Sequence, residues 1–208
     1  PGPSWVRVTA LGSYREVGRA MHLVTTNESK VLVDCGAKPT SNRNEVQPFF
    51  AAPEMLPLDN IDAVVITHAH VDHIGMLPVL FRFGYKGPVY CTQPTRDLMT
   101  LLQMDYIKVA QAEGNEAPYS KSDIQECIKH VVDVNWGEKT DIAPDIKMTM
   151  ENAGHILGSS SVYMQIGEGR DEHKLLFSGD IKYEKSWLFD AATVRFNKVD
   201  TLVIESTY

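Results

Sequence analysis

The sequence has no CxxC pair, no run of Lys or Arg longer than two, and no apolar stretch near the roughly 20 residues that span a bilayer. Each absence removes a reading. The three cysteines, Cys35, Cys91 and Cys127, are odd in number and far apart, so they form neither a disulfide framework nor a cysteine zinc site. They read as reduced thiols of a cytoplasmic protein, buried among apolar neighbours. Basic charge is short as well: 20 Lys and Arg face 27 Asp and Glu, a formal net charge of −7. A surface that grips polyanions unaided carries a basic patch. If nucleic acid is the substrate, most of the long-range attraction must come from elsewhere. Pro1 to Arg7 lacks the charged-then-apolar pattern of a signal peptide, and reads as a domain start cut out of a longer chain. With no repeat and no low-complexity tract, residues 1–208 read as one domain with a core large enough to be stable.

What is present alternates between strand and helix signals. Val6 to Leu11, Met21 to Thr25 and Lys30 to Asp34 read as short strands separated by turn residues. Residues 36–60, rich in Pro, Asn and Ser, read as a long loop with one helical turn. Ile61 to Ile66 is a β-branched apolar run, as expected of a strand buried on both faces. His73 to Phe83 reads as a helix that Pro78 must start or kink. Pro88 to Cys91 follows as a strand, and Pro94 to Ala112 is the clearest helix. Ser120 or Ser122 can cap another helix running to about His130. Strands are then expected at Val131 to Val134, Ile146 to Glu151, Ser160 to Ile166, Lys174 to Phe177 and Thr201 to Ile204, with Gly167 to His173 as a hairpin turn. The pattern is α/β, sheets covered by helices.

Chemistry concentrates in His68-Ala69-His70-Val71-Asp72-His73, directly after the strand Ile61 to Ile66. Four of these six residues can bind metal, and they lie where α/β folds build sites, past the C-terminal end of a strand. Imidazole suits zinc, and a carboxylate can complete or bridge a pair of ions. Two later candidates follow other strands: His155 in Gly154-His155-Ile156-Leu157-Gly158-Ser159, whose glycines permit a sharp turn, and Asp180 in Ser178-Gly179-Asp180. Alone, each is an ordinary loop residue; with the cluster, each becomes a ligand candidate. His22, His130 and His173 read as structural.

In this order the pieces resemble the metallo-β-lactamase fold: Asp34-Cys35-Gly36 at a strand end, the HxHxDH loop, the later Gly-His and the later Asp. Arg15-Glu16-Val17-Gly18-Arg19, Gly87 to Cys91, Asn152 to Ser159 and Glu205-Ser206-Thr207-Tyr208 narrow the likeness to the β-CASP nucleases, nearest to the archaeal cleavage and polyadenylation specificity factors. The resemblance implies an αββα sandwich and two zinc ions. His68, His70 and His155 would hold one ion, Asp72 and His73 the other, and Asp180 would bridge them. It implies catalytic parts for Asp72, Asp180 and Glu205, the last helping to arrange a proton donor. Asp34 matches a position where a carboxylate orients a ligand histidine, although a strand-end turn residue would look the same. Two zinc ions would bring the total charge to about −3.

The implied activity is hydrolysis of single-stranded RNA, in 3′-end processing or transcription termination. Endonucleolytic cleavage and 5′–3′ exonuclease action both stay open. In the family a β-CASP domain follows the Glu-Ser-Thr-Tyr segment, and a return segment then brings two more histidines, one of them the last ligand of the second zinc. KH modules precede residue 1 in archaeal members. None of these lies within the 208 residues. The expectation is therefore an incomplete sandwich and a weak or silent site. An open sheet edge should favour a homodimer, and the partners include the carriers of the absent segments. Two other readings stand beside this one: a hydrolase of small esters or thioesters, and a non-catalytic structural part of an RNA-processing assembly.

Overall fold

The computed structural model describes residues 5–38, 45–193 and 196–207. Part of the expected 36–60 loop, and Tyr208 of the closing motif, lie outside them. A six-stranded sheet has the order β1 (Arg7–Gly12), β2 (Met21–Thr25), β3 (Lys30–Val33), β4 (Ala63–Val65), β5 (Val89–Cys91), β6 (Val131–Asp133). Its first three strands are antiparallel and the rest are parallel. A second, five-stranded sheet runs β11 (Thr201–Val203), β10 (His173–Phe177), β9 (Ser160–Ile166), β8 (Ile146–Asn152), β7 (Lys139–Ala143). Parallel pairing requires crossovers. Two of the four are helical: α1 (Val71–Ile74) with α2 (Leu77–Arg82), between β4 and β5, and α3 (Gln93–Ala112) with α4 (Lys121–Lys129), between β5 and β6.

Strict alternation in the central strands separates two cores. Leu32, Val64, Ile66 and Val89 point to the helices, where they meet Ile74, Leu77, Met99 and Ile107. Val31, Val33, Ala63 and Val65 point the other way, against Met148, Met150, Val162, Met164 and Phe177 of the second sheet. Burying one such side chain fully contributes about 1.5–3 kcal/mol, which explains why strands of only three or four residues suffice. The layers are thus helix, sheet, sheet. Among the described residues no helix covers the outer face of the second sheet, where Leu202 of β11 stays half exposed. No helix there is long and apolar enough to cross a membrane.

The single helix expected at His73 to Phe83 is two helices. Pro78 has no N–H, so it cannot bond back to the carbonyl of Ile74. The Nε2 of Gln103, a fully buried residue of α3, donates to that carbonyl instead, at 3.1 Å. Ser120, not Ser122, caps α4, in a reciprocal capping box with Asp123. The expected 36–60 loop contains two short 3₁₀ turns, Pro53–Met55 and Leu58–Asn60. Strand β7 has no counterpart in the sequence reading.

Candidate metal centre

Four strands release the chain at one end of the sandwich, and each carries a candidate out of its last residue. β3 leads to Asp34, β4 to His68, β8 to His155 and β10 to Asp180. The N–H of Asp34 bonds to the carbonyl of Val65, and the N–H of Ser160 to that of Thr67, so the strand ends are tied to one another. The turn carrying His155 is built by its neighbours. Gly154 and Gly158 adopt positive φ. The hydroxyl of the buried Ser159 accepts from the N–H groups of His155 and Ile156, both at 3.1 Å. Thr92 and Thr95, at the start of α3, hold the carbonyl of Gly158.

The sequence candidates fall into two sets sharing one residue. Nε2 of His68 and Nε2 of His155 each lie 3.1 Å from Nδ1 of His70. Oδ2 of Asp180 is 3.6 Å from the first and 3.5 Å from the second. Nitrogens bound tetrahedrally at 2.0–2.1 Å stand roughly 3.3 Å apart. Three imidazoles and a carboxylate at these spacings therefore surround a point that fits an ion, and all four donor atoms lie within 4.8 Å of one another. The second set is looser. Nε2 of His73 is 3.3 Å from Oδ1 of Asp180 and 3.7 Å from Oδ2 of Asp72. Asp180 thus turns one oxygen to each set.

Burial tunes the first set for a cation. His68 is fully buried, and that burial, with His73, His70 and His155 around it, holds its pKa well below the ordinary value. His70 is lowered likewise, by burial and then His155. Both imidazoles are therefore neutral at neutral pH, the form that binds metal. His73 differs: burial works against its charge, but the carboxylates of Asp34 and Asp180 outweigh burial and lift it to about 10. Asp180 is held below its usual range because His73 outweighs the cost of its burial.

Asp34 is no mere turn residue. It is buried, adopts φ of +61°, and accepts from Nδ1 of His73 at 2.7 Å. Glu205 stands beside the shared carboxylate. Its Oε1 accepts from the N–H of Ile181 at 2.7 Å, next to Asp180, and its Oε2 from Thr207. His130 and His173 belong to neither set and lie beside Glu126 and Thr201. His22 sits on the wall of a cavity of about 530 Å³. It contacts the Tyr14 hydroxyl at 3.0 Å, and burial lowers its pKa to about 4. Asp72, His73, Asp180 and Glu205 line the same cavity, as does the 13–18 loop. That loop is braced by Glu16 between Arg19 and Lys38, at 2.6 and 2.9 Å.

Residues 23–205 match the family described as metallo-beta-lactamase superfamily domain. A transcription termination factor FttA of Methanosarcina mazei is 53% identical over 204 residues, covering 98% of this chain and 32% of the relative. One of Methanocaldococcus jannaschii is 50% identical over 207 residues, with 100% and 32% covered. The chain thus spans about a third of these relatives' length. Among solved structures, a protein of unknown function from Enterococcus faecalis superposes with TM-score 0.59 at 15% identity, over 86% of this chain and 44% of that one. The Rm3 metallo-beta-lactamase gives 0.51 at 19%, over 82% and 58%. At such identities they speak for the fold alone. The fold, the His/Asp group able to bind metal and the matched domain together place this chain in the metallo-β-lactamase superfamily.

Proposed function

We propose that the chain forms the metal-binding part of a zinc-dependent ribonuclease of the 3′-end-processing or transcription-termination type, working in the cytoplasm on single-stranded RNA. The observation that carries this reading is the shared carboxylate: Asp180 faces His68 and His155 with one oxygen and His73 with the other. The name of the archaeal relatives, transcription termination factor, favours RNA over small esters. His68, His70 and His155 would hold one zinc, and Asp72 and His73 the other. When bound, such a pair supplies Lewis acidity and a water acidified towards neutrality. The residues of this chain do the rest. Asp34 keeps the Nδ1 proton of His73 and so aims Nε2 at the site. Glu205 fixes the backbone next to Asp180. The cavity beside Asp72 leaves room for a phosphate and its flanking sugar.

Single-stranded RNA incubated with the protein and zinc, beside His68→Ala, tests the reading. Weak zinc-dependent cleavage, lost in the variant, is the expected result. Hydrolysis of thioesters or lactones with RNA left intact would overturn it. A second measurement uses the proton on His73. Lifted to about 10, this imidazole is charged in the metal-free protein at pH 7.5 and must lose its Nε2 proton to bind an ion. Zinc titration by calorimetry in buffers of different ionisation enthalpy should read about one proton released per second-set ion. The share of the release that His73 supplies should vanish as the pH rises through 10. A zinc uptake with no buffer dependence would remove His73 from the ligand set.

A further inference from the structure

Thr67, between β4 and His68, is 1% exposed and belongs to neither set. Its N–H donates to Oδ1 of Asp34 at 2.8 Å. Its hydroxyl oxygen lies 2.9 and 3.1 Å from the two Asp34 oxygens and 3.0 Å from Nδ1 of His68. A hydroxyl has one proton, and a carboxylate only accepts. The proton of Thr67 therefore goes to Asp34. The oxygen is left as an acceptor, and Nδ1–H of His68 is the donor beside it. His73 is 3.5 Å away, and its own Nδ1–H is turned to Asp34 at 2.7 Å.

We infer that Thr67 is a positioning residue: its hydroxyl fixes the proton of His68 on Nδ1, frees Nε2 for the first metal set, and so links both sets to the single carboxylate of Asp34. Asp34 holds His73 directly and His68 through one hydroxyl. The hydroxyl itself is pinned. Threonine is stiff at χ1, and the far side of the residue is packed so closely on Gly179 that a Cβ there would stand 3.0 Å from Cβ and 3.3 Å from Cγ2 of Thr67. Gly179 precedes Asp180, so the residue that orients His68 also abuts the turn of the shared carboxylate. Serine keeps the hydroxyl without the methyl, whereas valine keeps the shape without the hydroxyl.

This inference rests on the metal reading above but not on RNA, and its test needs none. Long-range proton–nitrogen NMR of the metal-free protein should show His68 protonated on Nδ1 in the parent and in Thr67→Ser, and on Nε2 in Thr67→Val. Competition against a chromophoric chelator should show zinc affinity of the first set falling about 10–100-fold in Thr67→Val, the usual effect of removing a ligand's outer partner. Thr67→Ser should stay within a few-fold of the parent. Equal loss in the serine and valine variants would assign Thr67 to packing and overturn the inference. So would a parent spectrum with His68 protonated on Nε2, a result that stands even if Thr67→Val fails to fold. A parent that binds no zinc would overturn this and the proposed function together. Zinc binding as expected, with RNA left intact, would overturn the proposed substrate alone.

Discussion

Asp180→Ala should empty both metal sets, whereas His155→Ala should empty one. The asymmetry follows from geometry. Asp180 stands 3.5–3.6 Å from His155 and His68 through one oxygen and 3.3 Å from His73 through the other, while His155 approaches the first set alone. Metal analysis after dialysis should therefore read between one and two zinc ions per chain in the parent, because the second set lacks a ligand, at most one in His155→Ala and the least in Asp180→Ala. RNA cleavage should fall at least about 100-fold in Asp180→Ala, since even outer partners of metal ligands cost 10–100-fold. Thermal stability gives an independent reading. An ion present at 100 times its dissociation constant stabilises by about 2.7 kcal/mol, which at this chain length is roughly 5–11 °C in Tm. Zinc should raise Tm in the parent and leave Asp180→Ala nearly unmoved. Two ions retained without Asp180 would end the shared-carboxylate account.

How far the centre was legible beforehand depends on the kind of signal each part carries. The HxHxDH loop is dense in ligands, and the apolar run before it places it at a strand end; both are local and visible. His155 and Asp180 became visible only as companions to that loop, because a lone loop His or Asp has no distinguishing pattern. The hydroxyls that orient the ligands had no signal at all. Thr67 and Ser159 are ordinary residues until folding sets them against His68 and the His155 amide. Strand β7 was hidden because it runs at the sheet edge with Lys139 and Asp141 exposed, and it gives the core only Ile142 and the small Ala143. The strained 13–19 loop was equally hidden. Ser13, Arg15 and Arg19 adopt positive φ without being glycine, and of the two Glu16 ion pairs that brace the loop, the one with Lys38 is tertiary. The helix break at Pro78 was half legible: the missing N–H is written in the sequence, but its replacement, Gln103, comes from another helix.

Gly36→Ala should damage this centre more than most substitutions of the ligands themselves, by displacing the backbone that carries them. The segment after Asp34 runs against the start of α1. The N–H of Cys35 bonds to the carbonyl of His73, and that of Ala37 to the carbonyl of Val71, at 2.8 and 3.0 Å. Between them a Cβ on Gly36 would lie 1.5 Å from the carbonyl oxygen of Asp72 and 2.1 Å from its carbon. No side-chain rotation relieves an overlap with backbone, so the turn bearing Asp72 and His73 must move or the 34–37 segment must. Overpacking in a core typically costs 1–3 kcal/mol, occasionally more. This overlap belongs at the upper end, about 3 kcal/mol, or roughly 6–12 °C in Tm at this length. Because the same shift pulls His73 from Asp34, the second set should lose zinc even under conditions where the variant stays folded. Paired measurements of Tm and zinc content check both parts. Gly84→Ala is the control: Gly84 has positive φ but open space around its Cβ position, so its cost is backbone strain alone, with zinc content unchanged. Equal zinc loss in the two variants would mean that the Gly36 contact does not carry the effect.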